Sequence, residues 1–192
     1  MVSFAPRGEK PLASVPLRGV RSGRCPRPPR RDCYTCPVPD DAPPVVYTDG
    51  SCLGNPGRGG WAWAVPDGAF ASGAEAHTTN QRMEVTAALE ALRALWRPGH
   101  PIEVVSDSTY VVNCFRDAWW EGWLRRGWKN SQNKPVANRD LWEPLVELVR
   151  GAGGDVRFRW VKGHSVDRMN AYVDALALEA ATLGRASAGR MA

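Results

Sequence analysis

Two acidic residues of the sequence lie on apolar helix faces. Glu84 is followed at helical spacing by the apolar residues Ala87, Ala88, Ala91 and Leu92. Asp174 is followed in the same way by Ala177, Leu178 and Ala181. Because residues three and four apart share one helix face, both carboxylates are expected to point toward the protein interior.

Two further acids follow short apolar runs. Asp49 comes after the run 45–48, and Asp107 comes after the run 102–106. Both runs are predicted as strands that end at these acids, and strand ends are where α/β sheets build their sites. A lone buried carboxylate is costly or becomes protonated, and four together repel each other.

A divalent cation resolves this repulsion. Carboxylate oxygens are the ligands that Mg²⁺ and Mn²⁺ prefer, and no set of His and Cys residues accompanies the four acids to favour zinc. Each acid taken alone could be a helix cap or half of a surface ion pair. The four together predict a metal site.

The elements that position these acids alternate between strands and helices. Strands are predicted at 45–48, 60–65, 69–76, 102–106 and 155–161, and helices at 80–96, 108–117, 119–126, 139–150 and 170–183. This order predicts an α/β fold in which a mixed five-stranded sheet is flanked by helices.

The 192 residues suit one folded domain with appendages. Residues 1–43, rich in Pro and Arg, are predicted as a disordered tail, 44–184 as the domain and 185–192 as a flexible C-terminal tail. The net charge of +5 favours a polyanionic partner. Residues 1–43 carry eight basic and four acidic residues, so an alternative role for them is a basic arm that binds nucleic acid.

The five cysteines and the absence of a long apolar stretch bear on location. Cys25, Cys33 and Cys36 are interpreted as incidental, although they could be part of a zinc site that lacks a nearby fourth ligand. An odd cysteine count without an apolar leader predicts reduced thiols in a cytoplasmic protein. No membrane association is expected, and the protein is predicted to be a monomer.

Four motifs carry a resemblance to a known family. In chain order they are 47–57 (YTDGSCLGNPG), 79–84 (TNQRME), 106–111 (SDSTYV) and 160–164 (WVKGH). They resemble the successive motifs of bacterial type 1 ribonuclease H, and the resemblance extends over about 45–183. It implies a ribonuclease H-like fold and endonucleolytic hydrolysis of the RNA strand of RNA–DNA hybrids. It also implies that the metal is bound by Asp49, Glu84, Asp107 and Asp174. These are the same four acids that the helix and strand patterns select.

The resemblance further implies a mechanism with two Mg²⁺ ions, about 4 Å apart, which Mn²⁺ can replace. The products would carry a 5′-phosphate and a 3′-hydroxyl. His164 would be the catalytic histidine of a loop, serving as a proton shuttle or in product release; alternatively it is an ordinary exposed loop histidine. Family members often have a second histidine or a Glu-rich stretch after this position, whereas this chain has Asp167, Arg168, Met169 and Asn170.

The remaining site residues concern the substrate. By resemblance, Asn55, Asn80 and Gln81 contact the minor groove, and Thr79, Asn80 and Lys162 hold a DNA phosphate. Asn80 could also be the N-cap of its helix. The segment 119–129 looks like the family's basic protrusion, with Arg125, Arg126, Lys129 and Lys134 contacting phosphates. Trp119 and Trp123, four residues apart, are assigned to packing.

Two other functions fit parts of the sequence. A proofreading exonuclease or a recombinase could share this fold, but such exonucleases usually carry Asp-x-Glu on the first strand, where this chain has Asp49, Gly50 and Ser51. A hybrid-binding module without catalysis is the other alternative. The presence of all four acids argues against it.

Overall fold

The computed structural model of the chain describes residues 43–163 and 166–191, all of which belong to one compact unit. The strands are β1 (Val45–Leu53), β2 (Gly57–Ala64), β3 (Ala69–Thr78), β4 (Ile102–Ser106), β5 (Val156–Trp160) and β6 (Ser187–Arg190). The helices are α1 (Asn80–Leu95), α2 (Thr109–Arg116), α3 (Trp119–Arg125), α4 (Arg139–Gly151) and α5 (Arg168–Leu183). No helix in this described part has the length and apolarity needed to cross a membrane.

The strands form one mixed sheet in the order β5-β4-β1-β2-β3-β6. β4 pairs in parallel with β1 and β5, whereas β1, β2, β3 and β6 pair antiparallel in succession. The predicted α/β fold is therefore confirmed. The predicted number of five strands is wrong, because β6 forms within the segment 185–192 that was predicted as a flexible tail. Its sequence, SAGR, has no apolar alternation, and it pairs with the otherwise open backbone edge of β3.

β1 is longer than its sequence pattern predicts. We expected this strand to end at Asp49, yet its antiparallel pairing with β2 continues to Leu53, opposite Arg58. Its parallel pairing with β4 stops earlier, at the pair of Tyr47 and Val105. Asp49 therefore lies inside β1, but just beyond the end of its parallel partner.

Glycines allow a helix to approach the sheet closely on each face. A Cβ atom on Gly50 of β1 would lie 2.2 Å from the backbone nitrogen of Glu84 in α1. A Cβ atom on Gly60 of β2 would lie 2.2 Å from the carbonyl oxygen of Ala177 in α5. Both distances are far shorter than van der Waals contact, so α1 and α5 sit on the sheet at positions that only glycine permits.

Candidate active site

The four acids of the sequence prediction line one cavity of about 510 Å³. Asp49 contributes from β1, Glu84 from α1, Asp107 from the residue after β4, and Asp174 from α5. The remaining lining residues are Gly50, Ser51, Asn80 and Leu178. Residues far apart in the chain are thus brought together as the helix and strand patterns predicted.

Asp107 is held by hydrogen bonds from two later segments. Its main-chain carbonyl accepts a hydrogen bond from Nε1 of Trp160, at 3.0 Å. Its Oδ2 accepts one from Nδ2 of Asn170, at 3.2 Å. Asn170 is only 2% exposed, and its Oδ1 is buried without a hydrogen-bond partner among the described residues. Asn170 is therefore a direct neighbour of one of the acids.

The carboxylate of Glu84 is fixed on both oxygens. Oε1 accepts a hydrogen bond from Nδ2 of Asn80, at 2.9 Å, and Oε2 accepts one from Oγ of Ser108, at 2.6 Å. Ser108 is also the N-cap of α2, where its Oγ accepts from the backbone N–H of Val111. The sequence pattern did not predict the contact of Ser108 with Glu84, because that contact depends on how α1 packs against the start of α2.

Burial and mutual repulsion raise the pKa values of two acids. The pKa of Asp49 is raised to about 8, chiefly because the side chain is buried and also because the carboxylates of Asp107, Asp174 and Glu84 are near. The pKa of Glu84 is raised chiefly by burial, and its hydrogen bond from Ser108 opposes this shift. The site therefore disfavours the negative charge that its own residues carry.

The donor set suits a hard divalent cation. Four carboxylates supply only oxygen ligands, and a cation would offset the repulsion that raises the pKa of Asp49. In the described part of the chain, no group of three or more Asp, Glu, His or Cys side chains is arranged to hold an ion in this conformation. The hydrogen bonds from Asn80 and Ser108 orient the carboxylate of Glu84, which lines the same cavity as the other three acids.

A family model described as RNase H matches residues 41–182. The chain belongs to the ribonuclease H family. It is similar to Ribonuclease H of Syntrophomonas wolfei, with 50% identity over 139 residues that cover 71% of this chain and 94% of that protein. It is also similar to Ribonuclease H of a Thermus thermophilus strain, with 48% identity over 133 residues that cover 68% of this chain and 78% of that protein.

A solved structure agrees with these relatives. LC9-RNase H1, described as a type 1 RNase H with the type 2 active-site motif, superposes with a TM-score of 0.65 and 30% sequence identity, over 79% of this chain and 80% of that one. The resemblance to ribonuclease H predicted from the motifs is thus confirmed, and the chain is a ribonuclease H-type enzyme. The family generally uses divalent metal ions.

Gly163, the residue before His164, lies against one of the acids of the cavity. His164 lies outside the described residues, as do Cys25, Cys33 and Cys36 of the N-terminal segment. The preceding residue, Gly163, is so close to Asp107 that a Cβ atom on it would lie 2.6 Å from Oδ2.

Residues predicted to contact the minor groove cluster at the start of α1. Thr79 is the N-cap of this helix, since its Oγ1 accepts from the backbone N–H of Arg82. The alternative of Asn80 as N-cap is therefore wrong; Asn80 is the first helical residue and reaches Glu84. Its backbone N–H donates to Oδ1 of exposed Asn55, at 3.3 Å. The ribonuclease H motifs at 47–57 and 79–84 thus meet beside the acids.

The predicted basic protrusion, 119–129 together with Lys134, is called the handle, and it borders a separate groove of about 520 Å³. Arg125 and Arg126 line this groove, and so does Gln81 of α1. Three further predicted phosphate contacts are exposed, namely Lys129 and Lys134 in the handle and Lys162 after β5.

The two tryptophans assigned to packing differ in the structure. Trp123 is 7% exposed and packs against Trp142, with ring centroids 5.3 Å apart. Trp119 is 38% exposed and lines the groove. The packing assignment is therefore wrong for Trp119, which is the first residue of α3 and lies at the end of the helix beside the groove.

Proposed function

We propose that this chain hydrolyses the RNA strand of RNA–DNA hybrids endonucleolytically, with two Mg²⁺ ions, and leaves 5′-phosphate and 3′-hydroxyl ends. The convergence of Asp49, Glu84, Asp107 and Asp174 on one cavity carries this proposal. Family membership supports the substrate class, since the curated relatives are named Ribonuclease H.

The four acids would hold the cations. When bound, divalent cations supply Lewis-acid polarisation of the scissile phosphate and neutralise charge that develops in the transition state. Asn80 and Ser108 orient Glu84, and Asn170 orients Asp107. These hydrogen bonds hold the carboxylates near their working positions, which lowers the cost of arranging them when substrate arrives.

The other residues would bind substrate or move protons. His164, on the loop that starts at Gly163, is proposed as the group that carries a proton to or from the reacting phosphate. Asn55, Thr79, Asn80 and Gln81 are proposed to contact the minor groove of the hybrid and an adjacent DNA phosphate. The handle residues Arg125, Arg126, Lys129 and Lys134, together with Lys162, are proposed to contact further phosphates, which position the hybrid without reading its sequence.

An assay with labelled duplexes tests the proposal. Hybrid, RNA duplex and DNA duplex are each incubated with the protein and Mg²⁺, and with EDTA as the control. We expect internal cuts in the RNA strand of the hybrid alone, and 5′-phosphate ends on the products. Cutting of duplex DNA would favour another nuclease of this fold. Binding of the hybrid without cleavage would favour a non-catalytic binding module.

Location, oligomeric state and domain boundaries stay predictions. We propose a monomeric cytoplasmic enzyme whose domain begins near residue 44, as the family match from residue 41 supports, and includes β6 beyond the predicted end at 184. Light scattering of the purified chain measures its mass, and deletion of residues 1–43 tests whether the domain is active without that segment. A domain that loses hybrid affinity on deletion would favour the basic-arm alternative.

A further inference from the structure

Asp167 uses its two carboxylate oxygens for different purposes. Its Oδ1 accepts the backbone N–H groups of Met169 and Asn170, at 3.0 and 3.1 Å, which makes it the N-cap of α5. Its Oδ2 accepts a hydrogen bond from the hydroxyl of Tyr47, at 3.3 Å. One side chain therefore caps the helix that carries Asp174 and also ties this helix to β1.

Tyr47 joins this contact to the strand of Asp49. The two residues are two positions apart on β1, so their side chains emerge on the same face of the sheet. Tyr47 also interacts with Arg159 of β5, whose Nε donates to Oε2 of Glu103 at 2.9 Å. Tyr47 therefore contacts both Arg159 of β5 and Asp167 at the start of α5.

The first turn of α5 connects Asp167 to a second acid of the site, Asp107. Asn170 makes both contacts. Its backbone N–H donates to Oδ1 of Asp167, and its side-chain Nδ2 donates to Oδ2 of Asp107. Tyr47, Asp167 and Asn170 therefore form a polar connection from the strand of Asp49, through the first turn of α5, to the carboxylate of Asp107.

We infer that Tyr47 and Asp167 are a positioning pair that sets α5, and with it Asn170 and Asp174, relative to Asp49 and Asp107. This inference rests on the proposed function, because it concerns the same site. Asp167 lies in the segment after His164 where the sequence departs from the family pattern, and its contact with Tyr47 links this segment to β1.

The capping role and the positioning role of Asp167 can be separated by substitution. Serine is a good N-cap, but its hydroxyl is too short to cap α5 and to reach Tyr47 as well. Asp167→Ser therefore keeps the cap and removes the link. Tyr47→Phe removes the same link from the other side and keeps the ring. Tyr172→Phe is the matched control, since it deletes a tyrosine hydroxyl from the first turns of α5, where the ring packs edge-on against Phe70.

The kinetic test uses the full chain with RNA–DNA hybrid and Mg²⁺. Both Tyr47→Phe and Asp167→Ser are expected to lower kcat by about three- to tenfold, the range for one lost hydrogen bond, while KM stays unchanged. The double variant should be no slower than the slower single variant, because the two changes remove one interaction. Tyr172→Phe should match the wild type. Multiplying effects in the double variant, or single variants with wild-type kcat, would overturn the inference.

A second measurement does not depend on turnover. Titration calorimetry with Mn²⁺ alone should show several-fold weaker binding for Tyr47→Phe and Asp167→Ser, and unchanged binding for Tyr172→Phe. A role in stability alone would lower the melting temperature and leave both kcat and Mn²⁺ affinity at wild-type values. If the wild-type chain does not cleave the hybrid, the proposed function fails; if it does, and the variants equal it, only the positioning pair fails.

Discussion

Asp49 and Asp107 occupy equivalent positions in the register of two parallel strands. Tyr47 of β1 pairs with Val105 of β4, and each aspartate lies two residues beyond its member of this pair. Both side chains therefore point to the same face of the sheet, just past the last parallel pairing. A shift of one residue in this register would turn one carboxylate to the opposite face, so the pairing of β1 with β4 is a condition for the site.

This relationship makes Asp49 the most informative residue to replace. Asp49→Asn keeps the shape of the side chain and removes its charge, so we expect cleavage of the hybrid to fall by at least about a thousandfold while hybrid binding persists. Gel-shift titration in Ca²⁺ or EDTA measures the binding. Turnover near the wild-type rate would show that Asp49 is not a metal ligand.

The same residue should make the stability of the metal-free protein depend on pH. Because the pKa of Asp49 is raised to about 8 in the folded protein, the folded state retains a proton that the unfolded chain loses near its ordinary pKa. Stability should therefore fall as the pH rises from about 4 to about 8. Asp49→Asn should remove much of this loss and raise the free energy of unfolding at pH 8 by about 2–5 kcal/mol.

Urea denaturation in EDTA at pH 4, 6 and 8 checks this prediction. The two proteins should have similar stability at pH 4 and diverge as the pH rises, and Mg²⁺ should stabilise the wild type more than the variant. Equal stability of the wild type and Asp49→Asn at pH 8 would mean that the surroundings of Asp49 do not disfavour its charged form.

The sequence was sufficient to find the acids because their signals are local. Glu84 and Asp174 lie on apolar helix stripes, a pattern of period 3.6 that one window of sequence contains. Asp107 follows a short apolar strand, and the structure places it directly after β4. The predicted strand that ends at Asp49 is shorter than β1. The extension of β1 depends on its pairing with β2, which is a contact between segments that a local pattern does not encode.

Long-range contacts account for the other differences. The bond from Ser108 to Glu84 spans 24 positions, and the bond from Tyr47 to Asp167 spans 120. Neither has a signature in its own neighbourhood. β6 was missed for a related reason, since it owes its strand conformation to the edge of β3 and not to its own residues.

The contact of α1 with Gly50 gives a prediction about stability and activity together. A Cβ atom there would meet the backbone of Met83 and Glu84 at 2.4 Å or less, so Gly50→Ala should push α1 off the sheet. We expect a loss of about 1–3 kcal/mol in stability and a lower kcat, because Glu84 moves with the helix. Urea denaturation and hybrid cleavage measure the two effects.

Gly151→Ala is the matched control for this substitution. Gly151 ends α4 and has open space where a Cβ atom would lie, so the change should be neutral or slightly stabilising, by up to about 1 kcal/mol. Gly50→Ala with wild-type stability and kcat would contradict the close approach of α1 to β1.

The exposed basic residues of the handle should govern affinity and its response to salt. Replacing Arg125, Arg126 and Lys129 with Ala should raise KM and leave kcat at saturating hybrid nearly unchanged, because these side chains lie outside the acidic cavity. Each lost phosphate contact should flatten the slope of log KM against log salt by about 0.9, so the triple variant should lose up to about 3 in slope. The control replaces Arg93, Arg97 and Arg150 with Ala and changes the net charge equally; these arginines lie near the C-terminal ends of α1 and α4, Arg97 two residues beyond α1. A change in net charge alone acts through the long-range field, whereas a lost phosphate contact also changes how many counterions the complex releases. If both triple variants change KM and its salt slope equally, the handle does not contact the hybrid.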